Sequence, residues 1–589
     1  MTRCHADPIR QNESRPLNDQ RNMILAIALS ALVLIGWTLF SDRFLPTPKP
    51  RVVAAGTRAP VTASDAAPVA AGSVPAGVAP VGVRERGLVL AETPRVVIAN
   101  PRLAGSINLR GARIDDLVLT THLTTTERNA APVRLFSPSG SDGAYFAQFG
   151  WTGPGTPPAD ALWTTSAPRL TPQTPVTLSW ASPTGAVFEI VLALDQDYLF
   201  TATQRVRNAG GAPLSVRPWG LVSRTGEGTE KDAANLHVGP LGVVGGRLKD
   251  SEVSYSKLKN EGAQTFPTTG GWLGLTDKYW LAALIPDQAA PVVTRFAAAP
   301  GDRFQADYLT APVAVAPGAA VATVAHLFAG AKEVDLLDRY KAALGIPLFD
   351  RAVSWGWFWF IAQPIFHLLD WLFKLTGNFG VAIIGLTIIV KALMFPIANK
   401  QYASMARMRI FQPKMKEIQD KYKDDKQRQQ TEMMALYKKE KINPVAGCLP
   451  VFLQIPIFYA LYKTLLVSIE MRHQPFALWI RDLSAPDPLT PVNLFGLLPF
   501  QPPHLIAIGV LPILVGVSMW LQQRLNPPVA DPIQQQVFKL MPWVLMFIMA
   551  PFAAGLQVYW ITNNLVSVLQ QWFMLRKYPM PATPAVAAK

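Results

Sequence analysis

Between Asn378 and Ala398 the chain reads NFGVAIIGLTIIVKALMFPIA, an apolar stretch with one fixed charge, Lys391, inside it. A helix of about 20 residues rising about 1.5 Å per residue covers a hydrocarbon core of about 30 Å. The stretch therefore sets the frame, because the rest of the chain must be laid out on the two sides of a membrane. A lysine near the middle of a span costs roughly 2.5 to 3.5 kcal/mol on insertion scales, and an intramembrane cation is a functional-site hypothesis by default. The competing reading is that Lys391, in the second half of the stretch, snorkels to the nearer interface along its aliphatic stem. Position alone does not choose between the two.

The composition fits this frame. The chain has 589 residues, is 50% hydrophobic, contains 52 prolines and carries a net charge of +15. Its mean hydropathy of +0.19 is high for a wholly soluble protein. The positive charge suits either nucleic acid or the anionic cytoplasmic face of a membrane. Cys4 precedes the first apolar run and Cys448 lies within another, so no disulfide, thiol scaffold or Cys-based metal site is expected. No metal or other cofactor is expected.

Residues 1–22 are polar and carry Arg3, Arg10, Arg15 and Arg21, and an apolar run of spanning length, 23–40, follows. That run is long for a signal-peptide core, and SDRFLP rather than a small-x-small site comes after it, so it reads as an uncleaved signal anchor with a cytoplasmic N-terminus. Residues 41–84 form a linker rich in Pro, Ala and Gly that cannot build a core. From 85 to 345 short β-rich runs such as RVVIA (Arg95–Ala99), PVRLF (Pro132–Phe136), VTLSW (Val176–Trp180) and FEIVLAL (Phe188–Leu194) alternate with turn residues. This pattern predicts an antiparallel sandwich, with helical spacing returning only near 332–344. The segment has no H-x-x-x-H, nucleophile elbow or phosphate loop, which favours binding or scaffolding over catalysis. In 356–375, Gln363, His367, Asp370 and Lys374 recur on one helical face while aromatic and aliphatic residues fill the remainder. The reading is an interfacial helix on the membrane surface, with a buried amphipathic helix of the sandwich domain as the alternative.

Beyond Lys391 the segment 399–441 is strongly basic, with Arg407, Arg409, Lys414, Lys416, Lys421, Lys423, Lys426 and Arg428 among its charges. The positive-inside rule makes it cytoplasmic. Its Met and Tyr residues fall at helical spacing on either side of Asp424-Asp425-Lys426, which predicts an antiparallel helical hairpin, either simply solvated or docking a partner or anionic lipid. Further spans are expected at 443–467, 505–522, 537–552 and 556–575, with 578–589 as a cytoplasmic tail. The result is a polytopic α-helical membrane protein of six spans carrying a β-sandwich on the outer side.

The stretches QYASMARMRIFQPKMKEIQDKYKDDKQRQQTEMMALYKKEKINPVAGCLPVFLQIPIFYALY, PFALWIRDLSAPDP and GLQVYWITNNLVSVLQQ, in that order, resemble the YidC-type membrane protein insertases. WLGLTDKYWLAALIP (Trp272–Pro286), after a single N-terminal span, looks like the larger bacterial form with a periplasmic β-sandwich. The resemblance implies a five-helix insertase core enclosing a polar groove open to cytoplasm and lipid and closed toward the periplasm. The groove cation of the family falls on Lys391, where the best-known members carry arginine; lysine keeps the charge but loses the planar bidentate fork. Thr387, one turn earlier, and Gln454, Tyr559 and Trp560 match groove or substrate-contact positions, and Trp560 stands where the family often has a second tyrosine. From the residues alone, helix packing or an aromatic belt is the favoured account of Tyr559 and Trp560, and a hydrogen bond joining two helices that of Gln454; the resemblance turns the reading to the groove.

The resemblance implies an inner-membrane insertase and chaperone, not an enzyme, acting alone or with the Sec translocon. Its expected partners are nascent membrane proteins, the ribosome and signal-recognition targeting machinery, and membrane lipids, with no DNA. A secondary transporter is disfavoured, since no internal repeat is visible. An envelope scaffold, with the sandwich as the active part, is the other alternative.

Overall fold

The computed structural model of the protein describes residues 83–228, 236–249, 252–423, 425–440, 449–495, 498, 508–525 and 532–577. The expected signal anchor, most of the linker and the C-terminal tail lie outside the described residues.

Two large sheets face each other over residues 95–331. The first runs, edge to edge, through Gln264–Thr269, Pro291–Ala299, Arg303–Thr310, Leu214–Thr225, Tyr145–Thr152, Arg113–Leu123, Leu103–Asn108, Arg95–Ala99 and Arg169–Leu170. The second runs through Arg247–Leu248, Gly239–Val244, Trp272–Thr276, Trp280–Ile285, Ala320–Ala331, Leu199–Asn208, Ala186–Leu194, Val176–Ala181 and Thr164–Thr165. Pairing is antiparallel except where Val97 and Ile98 run alongside Arg169 and Leu170.

The strand Ala186–Leu194 shows why the chain pairs this way. Ala186, Phe188, Ile190, Leu192 and Leu194 are buried while the residues between them are partly exposed, the two-residue period of a sheet with one face inward. Its register against the next strand, with Val191 opposite Thr203, keeps both inward sets on one side. Trp272–Thr276 and Trp280–Ile285 are buried at every position, so both of their faces are covered. There Gly274 is required by close approach, since a Cβ would lie 2.0 Å from the Ala282 carbonyl oxygen.

The helices of the described residues are α1 (Arg86–Ala91), α2 (Tyr255–Glu261), α3 (Val334–Leu344), α4 (Trp359–Thr376), α5 (Phe379–Ile410), α6 (Gln412–Lys421), α7 (Lys426–Lys439), α8 (Leu449–Val467), α9 (Val510–Leu525), α10 (Pro532–Met549) and α11 (Ala554–Lys577). Residues 532–540, the start of α10, fall in a second compact unit and are helical. Among the described residues, Phe379–Asn399 is the one helical segment long and apolar enough to cross a membrane by itself; Gln454–Val467 and Gln535–Met549 are shorter apolar runs.

Three expectations change in detail. First, α5 does not stop at the end of its apolar stretch but continues through Ile410. Residues 399–410 are mostly Ala, Met, Lys, Arg and Gln, good helix formers that carry the helix onward, and Pro413 in the first turn of α6 marks the restart. The basic hairpin therefore begins as an extension of the span. Second, the amphipathic helix runs over Trp359–Thr376, closed by Gly377 in the left-handed conformation with its N–H donating to the Phe373 carbonyl. Third, its polar stripe is paired with the preceding segment, though Lys374 and His367 stay largely exposed. Gln363 Nε2 donates to Asp350 Oδ2 at 2.8 Å, Lys374 reaches Asp335 at 2.7 Å and Asp370 at 2.6 Å, and His367 lies 3.8 Å from Asp338. The helix thus docks on the C-terminal end of the sandwich while Trp357, Trp359, Phe360, Trp371 and Leu375 remain exposed.

The sandwich core is continuous with the helices: its apolar cluster runs through Ala362 and Phe366 of α4 to Ala460 and Val467 of α8 and Ile469 just beyond. Two polar contacts reinforce this junction. Glu470 Oε1 accepts from the Val334 N–H at 2.9 Å, satisfying a free donor in the first turn of α3. Arg472 donates to the carbonyls of Leu123 at 2.7 Å and Thr124 at 3.3 Å and lies over the Trp280 ring. Burial pushes the Glu470 carboxyl up to about 8, with Glu333 and Asp370 adding in the same direction.

Candidate functional site

The helices converge at the end nearest the sandwich. There Phe379, Ala382, Ile383 and Leu386 of α5, Leu461 and Leu465 of α8, Leu511 and Val515 of α9, Met549 of α10 and Leu556, Val558 and Tyr559 of α11 form one buried cluster. The loop 472–495 closes over it. The Asp487 carboxylate accepts from the Leu489 and Leu511 N–H groups and from the Trp479 indole, so it both shapes the loop and caps α9. Asp482 accepts from the His473 and Ser484 N–H groups and the Ser484 hydroxyl. Asn378 Nδ2 donates to the Phe476 carbonyl, and Phe476 lies so close to α5 that a Cβ on Gly380 would be 1.9 Å from its ring. The first free N–H groups of α11, from Ala554 and Gly555, donate to Ala485 and Leu483. These contacts give physical roles to the PFALWIRDLSAPDP stretch.

Farther along the same helices the packing changes. Ile388, Leu393 and Phe395 of α5, Ile455 of α8, and Leu565 and Leu569 of α11 are exposed, while polar side chains gather between the helices. Lys391 is half-buried, and its Nζ donates to Ser567 Oγ at 3.0 Å. Ser567 Oγ in turn donates to the Asn563 carbonyl at 2.6 Å. Among the described residues no carboxylate lies within ion-pair distance of Lys391. Gln454 Nε2 donates to Tyr559 OH at 3.0 Å, which ties α8 to α11. Asn564 Nδ2 donates to Ser518 Oγ at 3.0 Å, tying α11 to α9.

The five residues picked out from the sequence are thus placed as follows. Lys391, Gln454 and Trp560 are half-buried, with Trp560 edge-on to Phe458 at 4.8 Å between ring centroids. Thr387 is 1% exposed and donates back to the Ile383 carbonyl, and Tyr559 is 3% exposed. In this conformation Thr387 and Tyr559 belong to the packed end, and the Gln454–Tyr559 bond is the helix-joining contact that the residues alone suggested. Ser567, Asn563 and Asn564 were missed; single polar residues in an apolar helix carry no spacing signal that points to a lysine far away in sequence.

In the basic hairpin, Asp425 caps α7 by accepting from the Arg428 N–H at 2.9 Å, and Gln429 Nε2 reaches the Gln419 carbonyl at 3.1 Å across the arms. Lys414, Lys421, Lys423 and Arg428 are exposed, with Lys421 and Arg428 flanking Tyr422. Arg407 and Arg409 lie on α5, Lys416 on α6 and Lys426 on α7.

The structure thus joins a helical bundle, one segment of which is long and apolar enough to cross a membrane, to a two-sheet domain. The family described as "60Kd inner membrane protein" matches residues 371–581, and the "YidC periplasmic domain" family matches 95–368. The Membrane protein insertase YidC of Zymomonas mobilis is 46% identical over 572 residues, covering 96% of each chain. That of Beijerinckia indica is 44% identical over 581 residues, covering 95% of this chain and 96% of its own. A crystal structure of an active YidC insertase aligns with a TM-score of 0.35 at 16% identity over 84% of this chain and 94% of that one. The chain belongs to the YidC family of membrane protein insertases.

Proposed function

We propose that this protein inserts hydrophobic segments of nascent proteins into the inner membrane, through a path lined by the open ends of α5, α8 and α11. The observation that carries the reading is Lys391, a half-buried cation beside exposed apolar residues, whose one hydrogen-bond partner among the described residues is the neutral Ser567 hydroxyl. An ammonium has three donors, so Lys391 keeps capacity for an acidic group of a passing chain. Polar side chains around it lower the cost of bringing a hydrophilic tail into the bilayer, which full desolvation would make prohibitive. The membrane potential, negative inside, favours outward movement of a negative charge by about 2.3 kcal/mol per 100 mV. The apolar segment of the client meanwhile moves to lipid along the exposed helix faces. No bond is made or broken.

In this reading six spans place both termini in the cytoplasm and the sandwich in the periplasm, and the path is closed outward by the loop 472–495. The hairpin docks ribosomes or targeting factors, and the protein works alone or beside the Sec translocon. Purified protein in vesicles should insert a single-span client with an acidic N-terminal tail; failure to insert any client, with uptake of a small solute instead, would favour a transporter.

A further inference from the structure

Tyr559, Asn563 and Ser567 recur at every fourth residue of α11, forming a column that winds slowly around the helix. Both ends of the column are occupied, Tyr559 by Gln454 of α8 and Ser567 by Lys391 of α5. The middle is not: Asn563 Oδ1 is buried and has no hydrogen-bond partner among the described residues. Buried acceptors are almost always paired, and an exception calls for an explanation. Here the orphan lies between the two contacts that link α11 to its neighbours, about one turn from each.

An orphan acceptor needs a donor. A helical client offers no backbone donors along its length, because its N–H groups are bonded internally. An extended segment offers one at every residue, and those on one side recur every second residue, about 6.6 Å apart. Four residues of a helix rise about 6 Å, so an extended chain lying along α11 stays nearly in step with the column. We propose that the hydrophilic tail of a client lies extended along α11, with a backbone N–H donating to Asn563 Oδ1 while a neighbouring carboxylate takes Lys391 from Ser567. The ligand is an extended, acidic polypeptide segment. The inference rests on the insertion path proposed above and adds the conformation of the client within it.

The test leaves the column intact. Val566, half-buried and one turn from Asn563, is changed to cysteine in protein carrying Cys4→Ser and Cys448→Ser. Single cysteines are scanned along the tail of a stalled client, and disulfide yield is measured at each position. Yield alternating every second residue is expected. A period of three to four residues, or a flat profile, overturns the extended tail and leaves the insertion path standing. No crosslink anywhere, with the client inserted normally, overturns the path as well. As a second measure, Asn563→Leu should slow insertion of a long-tailed client about fivefold at matched protein level and spare a client with almost no tail. Equal loss for both would make Asn563 a packing residue and overturn the proposal.

Discussion

The two ends of the helical core are built from the same helices and behave differently. Near the sandwich, α5 and α11 present Ile383, Leu386, Leu556 and Val558 to a dry cluster, and a loop supplies carbonyls to the free helix ends. Two or three turns farther on, the same helices present Lys391, Asn563 and Ser567 between them and leave Leu393 and Leu569 exposed. Close packing makes the first end intolerant of volume change. The second end joins its helices through side-chain hydrogen bonds such as Lys391 to Ser567, which exchange partners at small cost. A path that must open to one side but not leak to the other requires both halves.

The largest expected effect falls on the sealed half. Gly380→Val should drive a side chain into the Phe476 ring and cost about 3 kcal/mol through overpacking, lowering the unfolding temperature in detergent and the insertion of every client. An unchanged unfolding temperature would show that the loop yields freely and would remove the contrast. Next come substitutions of Lys391. Charge-assisted hydrogen bonds are worth about 1.5 to 3 kcal/mol, so Lys391→Ala should reduce insertion of an acidic-tailed client at least about tenfold. It should leave a neutral-tailed client and the unfolding temperature close to wild type. Lys391→Arg should retain activity and Lys391→Glu should be worst. If Lys391→Ala inserts both clients normally, the charge is dispensable and only hydration and shape distinguish the open half.

Glu470 tests the seal from the sandwich side. Its pKa, raised by burial to about 8, lies above the ordinary value of about 4.3. The folded state therefore holds a proton that the unfolded state releases between these values. Its contribution to stability is present at low pH and lost as pH rises toward 8. Hydrogen exchange of the Val334 amide should become a few-fold faster between pH 5.5 and 8, after correction for the intrinsic rate, and Glu470→Gln should flatten that dependence. A dependence unchanged in Glu470→Gln would assign it to another group. The smallest effect on insertion is expected at the hairpin. Changing Lys414, Lys421, Lys423 and Arg428 to Gln should weaken ribosome binding and reduce its salt dependence, while leaving insertion by purified protein in vesicles unaltered. Ribosome binding that keeps its strength and salt slope would place docking elsewhere.

Much of this organisation was legible in the sequence because it depends on local period. RVVIA and PVRLF are strands with the bounds read from their letters, and the helix near 332–344 runs over Val334–Leu344. Lys391 was conspicuous because a fixed charge interrupts an apolar run. What stayed hidden depends on pairs distant in sequence: Lys391 with Ser567, Gln454 with Tyr559, Glu470 with the amide of Val334. Glu470 and Arg472 carry no signal of their contacts in the sequence, since nothing in a short loop reveals that one carboxylate oxygen is buried against another domain. The length of α5 was missed for the opposite reason: hydropathy ends at the membrane surface, whereas helix propensity does not.

The length of α5 has a mechanical consequence. Its 32 residues make a rod about 48 Å long, with Lys391 near the middle and the first basic turns of the hairpin at the far end. Pro396 interrupts it just past Lys391, removing one backbone hydrogen bond and providing the natural point of flexure. A swing of about 10° there carries Ile410 through about 4 Å, given about 1.5 Å of rise per residue. A load applied at the far end of α5 would thus turn about a hinge that lies next to the charge.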